Sequence, residues 1–404
     1  MSLWRDLWQE LNMAGKSLAL GVVLVAVFAI GFVAFQFVPS TRIGYLDETA
    51  SAPDSLAGKS PLKSSEPIVV THINTPLAVK AVYMTACTAS VPRLRENLIK
   101  TMTGTEINSL VVDIKDYTGT LAYSFPNVRA PKGPGCRIND LPQFIDELHK
   151  KGIYAIARVT VFQDPVYAIY KPDMAVQSIL KPGQPWKDRN GLAYIDPNFT
   201  EYWKYVVSIA KDAHDAGFDE INFDYIRFPS DGDIGDAQFA TPIGVKKSEV
   251  IRNFFVFLHA ELKPLNIVTS ADLFGQTTIS RDDMGIGQIL EDALPYFDFV
   301  APMNYPSHYA NGFMGYPNPA LKPYEVVRDT MVTAVLRTVN ASSSIEKLRP
   351  WLQAFDMGAT YTPSMVRAEI QGVQDAGLNS WMLWDAANRY DRNSFYPMTT
   401  LPNP

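Results

Sequence analysis

The chain has 404 residues, with 47% hydrophobic and 19% charged side chains and a formal net charge of −6. That composition can build a large core and excludes wholesale disorder, and the acidic balance, with no Lys/Arg run, excludes a general nucleic-acid binder. The length suits one barrel-sized domain with an appendage.

Residues 17–38, SLALGVVLVAVFAIGFVAFQFV, carry no charge and are long enough to cross a bilayer core as a helix. The apolar core is longer than that of a cleaved signal peptide and ends in Phe35-Gln36-Phe37-Val38, without a small-x-small site. An uncleaved signal anchor is expected over 17–38, with a short cytoplasmic N-terminus over 1–16. Trp4 and Trp8 suit the membrane interface, and Arg5 and Lys16 before the span against Arg42 after it put the N-terminus inside. The rest of the chain would then lie outside the cytoplasm. Residues 39–77 are rich in Ser, Pro, Ala and Thr without an apolar period and read as a disordered linker.

From residue 78 to 404 short apolar or β-branched runs alternate with amphipathic stretches. Strands are expected at Lys80–Thr85, Ser109–Lys115, Tyr154–Val159, Glu220–Ile226, Ile267–Asp272, Phe297–Asn304, Arg349–Phe355 and Asn379–Asp385. The helices between them read RLRENLIKTM, LPQFIDELHKKG, TEYWKYVVSIAKDAHDAG, VIRNFFVFLHAEL, IGQILEDAL, YEVVRDTMVTAVL and MVRAEIQGVQDAG. Eight strand–helix units predict an α/β protein with a closed (β/α)8 TIM barrel; an open doubly wound sheet is the alternative. Helix-to-strand connections are short, whereas strand-to-helix connections are long, notably 116–139, 162–199, 228–249 and 306–322. In a barrel the long ones all open on the C-terminal face, where the active site would sit.

Alternate residues of a strand share a face. In the fourth strand Glu220, Asn222 and Asp224 share one parity and Ile221, Phe223 and Tyr225 the other, as expected of an interior that turns polar toward its mouth. The second strand carries Asp113 and Lys115, the third Arg158, and the fifth ends in Asp272. The sixth ends in Asn304-Tyr305, the seventh holds Gln353 and ends near Asp356, and the eighth ends in Trp384-Asp385. Buried charges need partners, so these groups are expected to compensate one another, either as an active site or as an ion-pair plug.

Two carboxyls on adjacent strands suit glycosidic bond cleavage, one protonated and donating to the leaving oxygen, the other ionised. Asp224 and Asp272 are the expected catalytic pair. Asp113, Lys115, Arg158, Arg227, Asn304, Tyr305, Trp384 and Asp385 are the expected substrate-binding residues, and Lys115, Arg158 or Arg227 would hold one carboxylate ionised. Trp384, Tyr225, Tyr305 and Trp186 are candidates for stacking on sugar faces, and equally for packing.

Cys87 and Cys136 cannot alone make a structural zinc site. Both fall just after predicted strands; two free thiols is the plainer reading and a disulfide the alternative. His72, His149, His214, His259 and His308 are scattered, so no catalytic metal site is expected, and no cofactor is implied. There is no G-x-S-x-G, P-loop or G-x-G-x-x-G.

The run Gly217-Phe-Asp-Glu-Ile-Asn-Phe-Asp-Tyr-Ile-Arg-Phe-Pro229 resembles the hallmark of a bacterial family of glycosyl-hydrolase-like barrel domains, formerly a domain of unknown function. VKAVYMT, SLVVDIKDYTGTLAY, Ala157-Arg158, the Trp186…Asp188…Gly191…Asp196-Pro197 loop and Pro302-Met303-Asn304-Tyr305 resemble it too, so that the likeness covers nearly all of 78–390. The resemblance implies a TIM barrel acting on carbohydrate, with Asp224 as nucleophile or acid. Related glycosidases often place Glu on the fifth strand where this chain has Asp272, so Asp385, Asp113 and Asp356 compete for the second role.

The expected activity is that of a membrane-anchored glycoside hydrolase outside the cytoplasm, acting on a polysaccharide and binding no nucleic acid. The alternatives are a non-catalytic glycan-binding barrel tethered to the envelope, and a lyase or aldolase forming a Schiff base on Lys115. For the latter, Asp113 and Asp116 are unfavourable neighbours, since negative charge keeps a lysine protonated.

Overall fold

The computed structural model describes residues 69–242 and 244–398. The expected cytoplasmic segment and anchor, and the linker up to residue 68, lie outside the described residues. Among the described residues no helix is long and apolar enough to cross a membrane.

All eight expected strands form, within a few residues of their expected ends: β1 Lys80–Met84, β2 Ser109–Lys115, β3 Tyr154–Thr160, β4 Glu220–Asp224, β5 Val268–Phe274, β6 Phe299–Met303, β7 Trp351–Gln353 and β8 Trp381–Trp384. Each pairs in parallel with its sequence neighbours, and β8 pairs with β1 to close the barrel, which removes the open-sheet alternative. The alternation read from the sequence holds. Ala81, Tyr83, Val111, Tyr154, Ile156, Ala301, Trp351 and Met382 fill the interior, while Val82, Leu110, Val112, Ile221, Phe223 and Leu383 pack outward under the helices.

The outer layer is α1 Pro92–Met102, α2 Leu141–His149, α3 Thr200–Asp215, α4 Lys247–Leu262, α5 Leu290–Ala293, α6 Pro323–Asn340 and α7 Pro363–Asp375. Only α5 departs clearly from expectation, being much shorter than the IGQILEDAL stretch. Gly287 has φ +86°, outside the helical region, and a Cβ there would lie 2.6 Å from Ile251 Cγ1 and 2.8 Å from the Lys247 carbonyl on α4. The chain must cross α4 closely before a helix can begin.

At the N-terminal floor of the barrel, Arg349 Nη1 donates to both oxygens of Glu220, at 2.8 and 2.9 Å, and the Tyr154 hydroxyl donates to the same carboxylate. Both charges are fully buried and paired through Nη1, while Arg349 Nε and Nη2 are buried without a hydrogen-bond partner. This buried ion pair lies at the end away from the long loops, apart from the strand-end charges of the mouth.

On the opposite rim the long loops are tied together. Cys87, after β1, and Cys136, in the loop after β2, form a disulfide with a Cα–Cα distance of 5.0 Å, so the free-thiol reading is corrected. The strand ends place the two loops side by side, which sequence spacing alone could not show. Gln177–Ser178 in the loop after β3 pairs antiparallel with Ala237–Gln238 in the loop after β4.

Candidate active site

Arg158 is the hub of the mouth. It leaves β3 toward the barrel axis and is 3% exposed. Its Nη1 donates to Asp113 Oδ1 at 2.6 Å, its Nη2 donates to Asp224 Oδ2, and its Nε lies 3.9 Å from Asp272 Oδ2. Asp113 also accepts the Tyr83 hydroxyl proton. A planar guanidinium has donors enough to serve two carboxylates in fixed geometry, which a lysine at this position would not.

The two central carboxyls have different surroundings. Asp224 accepts from Arg158 on one oxygen and from the Tyr225 amide, at 2.6 Å, on the other. Asp272 accepts on Oδ1 alone, from Asn222 Nδ2 at 2.8 Å and Trp351 Nε1 at 2.7 Å; its Oδ2 is buried with no hydrogen-bond partner. Burial, reinforced by the negative charge of Asp224, holds Asp272 well above the usual carboxylate range, and the Arg158 charge only partly opposes this. The protonated form of Asp272 is thus favoured relative to that of an ordinary aspartate. Burial also raises Asp113, against the pull of Arg158.

Above these groups lies a cavity of about 360 Å3, lined among others by Arg158, Asp224, Asp272, Arg227, Tyr305, Trp351 and Trp384. Its size falls in the range of small-molecule sites. Trp384 stacks on Tyr83 with ring centres 3.9 Å apart, and the Arg158 guanidinium lies 4.8 Å from the Trp384 ring centre. Arg227 packs 4.6 Å from the Phe274 ring centre and 5.2 Å from that of Tyr225. Tyr225 adopts φ +52°, a costly conformation for a tyrosine, at the residue after Asp224.

Six expected site residues thus share one cavity: Asp224, Asp272, Arg158, Arg227, Tyr305 and Trp384. Four lie off its wall. Asp113 sits behind Arg158 and holds it. Lys115 is fully buried, with Nζ 2.9 Å from Asp164 Oδ2 and 2.7 Å from the Thr160 carbonyl. Its strand register shifts between Asp113 and Lys115, and this bulge aims the ammonium at the end of β3 instead of the mouth. Asn304 donates to Thr330 Oγ1 at 2.7 Å and accepts from the Tyr309 hydroxyl at 2.8 Å, which positions Tyr309 on the cavity wall. Asp385 accepts the amides of Ala387 and Arg389 and closes its own turn. Asp356 similarly accepts the Tyr361 amide. Trp186 is buried in its loop, donating to the Asp233 carbonyl, so it offers no face to a ligand in the mouth.

Sequence reasoning passed over Trp351, which shares parity with Arg349 and Gln353 and was legible from that alone. His308, Tyr309, Phe274, Gln276 and Asp231 also line the cavity. They come from irregular segments or strand ends without a motif. Among the described residues no group of three or more His, Cys, Asp or Glu is arranged to hold a metal ion.

Comparison with known proteins adds to this geometry. Of the solved structures, a hypothetical protein from Ruminiclostridium thermocellum is 34% identical, covering 47% of this chain and 96% of that chain, with a TM-score of 0.43. The glycoside hydrolase domain of PgaB (BpsB) from Bordetella bronchiseptica is 17% identical, covering 79% of this chain and 98% of that chain, with a TM-score of 0.57. Alpha-L-fucosidase isoenzyme 2 from Paenibacillus thiaminolyticus is 14% identical, covering 78% and 47%, with a TM-score of 0.53. The last two share the barrel fold with this chain. A comparison with the curated proteins found no match. The family described as "Putative glycosyl hydrolase domain" matches residues 81–390, and the chain belongs to that family.

Proposed function

We propose that the chain is a glycoside hydrolase in which Asp272 is the proton donor and Asp224 the ionised partner. The observation that carries this is the asymmetry of the pair. Two carboxyls on adjacent strands line one cavity, one with both oxygens accepting and the other pushed upward by burial with Oδ2 free of hydrogen bonds. Such divergence marks an acid and its partner. In the reaction Asp272 passes its proton to the glycosidic oxygen as the bond to the anomeric carbon breaks. Asp224 supplies the electron pair, either directly to the anomeric carbon or by taking a proton from an attacking water. Arg158 and Asp113 hold Asp224 in place throughout.

Family membership supports this reading, and the barrel it shares with glycoside hydrolases is consistent with it. The glycan-binding alternative would be favoured by mouth carboxylates all tied up in ion pairs with none facing a cleft, whereas Asp224, Asp272 and Asp231 line the cavity. The Schiff-base alternative would need an amine in the cavity, whereas Lys115 is held by Asp164 away from its wall.

The setting we propose is the outer side of a membrane, with residues 17–38 as the anchor and a polysaccharide of the cell surface or surroundings as substrate. The Cys87–Cys136 disulfide supports this, because such bonds persist mainly in oxidising compartments. Protease treatment of intact cells should degrade the domain; its full protection would overturn the placement. For the activity, Asp224→Asn should abolish sugar release from a polysaccharide panel while its circular dichroism spectrum shows the fold retained. Full retained activity would exclude the assignment.

A further inference from the structure

A second cleft of about 570 Å3 adjoins the catalytic cavity. The two share Tyr225, Arg227 and Asp231 as a common wall. Resting on the glycosidase reading, we infer that this second cleft binds further sugar units of the same neutral glycan chain, so that the enzyme cuts within oligosaccharides instead of trimming single residues.

The cleft is built for such a ligand. Tyr117 lies on its rim, with 52% of its surface exposed, on a turn that has little freedom to move. Asp116 accepts the amides of Thr118 and Thr120, and the Tyr117 carbonyl accepts from Gln163 Nε2 at 3.0 Å. Gly119, at φ +81°, packs so tightly on Asp164 that a Cβ would lie 2.1 Å from its Oδ1. Asp164 is itself pinned by Lys115, so the buried lysine is part of the support for this turn. A rigid exposed aromatic offers a sugar an apolar face at low entropic cost.

Opposite polar groups complete the site. Asp188 accepts the Asn190 and Leu192 amides and fixes a turn that leaves the Asn190 side chain exposed. Asp231 is exposed at the junction of the two clefts and makes no hydrogen bond or ion pair. Arg227 is engaged by the Phe228 carbonyl and Ser230. Asp231 and Arg227 thus put one charge of each sign at the junction, and the exposed rim beyond it offers the neutral groups of Tyr117 and Asn190, which suits hydroxyl-bearing neutral units.

The test is calorimetric binding to the full chain carrying Asp224→Asn, with cello-, chito-, xylo- and malto-oligosaccharides from disaccharide to hexasaccharide as probes. In at least one series affinity should rise about tenfold with length, a step of about 1.4 kcal/mol. Tyr117→Ala and Asn190→Ala, both at exposed positions that line the second cleft and not the catalytic cavity, should reduce the hexasaccharide to disaccharide affinity and leave the disaccharide unchanged. Length-independent affinity, length dependence that survives both substitutions, or no binding in any series would each overturn the inference. The unsubstituted chain separates the two readings. Length-dependent binding without cleavage would sink the glycosidase reading and leave the cleft standing, while cleavage with length-independent binding would do the reverse.

Discussion

Trp351 donates its indole N–H to Asp272 Oδ1 at 2.7 Å across the barrel mouth. Asn222 donates to the same oxygen, so the neutral donors on Asp272 converge on one atom and leave Oδ2 for the proton. The polarity of the proposed catalytic pair follows from this arrangement, because Asp224 receives the direct guanidinium bond and Asp272 does not.

Asp272→Asn separates activity from stability. Asn keeps the oxygen that Trp351 and Asn222 bond but cannot give up a proton, so turnover should fall by about two to four orders of magnitude. The folded carboxyl titrates above its unfolded value, so the unfolded state loses its proton first as pH rises, and the native side chain opposes folding at neutral pH. The variant should therefore hold or raise the unfolding midpoint at pH 7; a clear drop would contradict the protonated assignment. In the native enzyme, activity should fall on the alkaline side as Asp272 ionises, and pH–rate profiles would show whether that limb disappears in the variant.

Arg158→Met should be severe for both properties. It strands Asp113 and Asp224, whose side chains are 4% and 6% exposed, without their cation. Breaking such a buried network costs about 3–5 kcal/mol. Urea unfolding should show that loss. A loss below about 1 kcal/mol would mean that the charges are compensated elsewhere.

Removal of the disulfide by Cys87→Ser with Cys136→Ser frees a segment with a sequence separation of 49. Chain entropy assigns about 4 kcal/mol to a loop of that length. Denaturant midpoints with and without reductant should coincide for the double variant and differ for the native chain. Equal midpoints in the native chain would contradict the bridge.

Acid should loosen the segment before β1. His72 stacks on His214 with ring centres 4.1 Å apart and lies 3.8 Å from Asp219, which also accepts the Ile73 amide and contacts His149. Burial and then His214 lower His72 from its ordinary value, against the pull of Asp219. The undocked segment therefore binds the proton more readily, and docking is favoured above about pH 6.5 and lost as pH falls below it. Amide exchange over residues 69–75 should accelerate from pH 7 to pH 5 beyond the intrinsic pH effect, and His72→Gln should remove that excess. An identical excess in the variant would assign it to another group.

Much of the architecture was legible in the chain. The parity of Glu220, Asn222 and Asp224 against Ile221 and Phe223 is local chemistry with period two, and it survives in the barrel. The placement of Arg158, Asp224, Asp272 and Trp384 at strand ends followed from the same pattern with the loop lengths. Lys115 shows where this logic stops, because a one-residue register shift in β2 turned a side chain of the right parity away from the mouth.

By itself the sequence determined the strand count, the face on which the long loops open, and the parity that turns Asp224 into the barrel, since each follows from neighbours a few residues apart. Only the tertiary structure decided the surroundings of Asp272. The Trp351 that bonds Asp272 is 79 residues away from it, and the burial that raises Asp272 is a sum over elements from around the barrel. Desolvation belongs to the packed volume and not to any segment of chain, so no local pattern could report it.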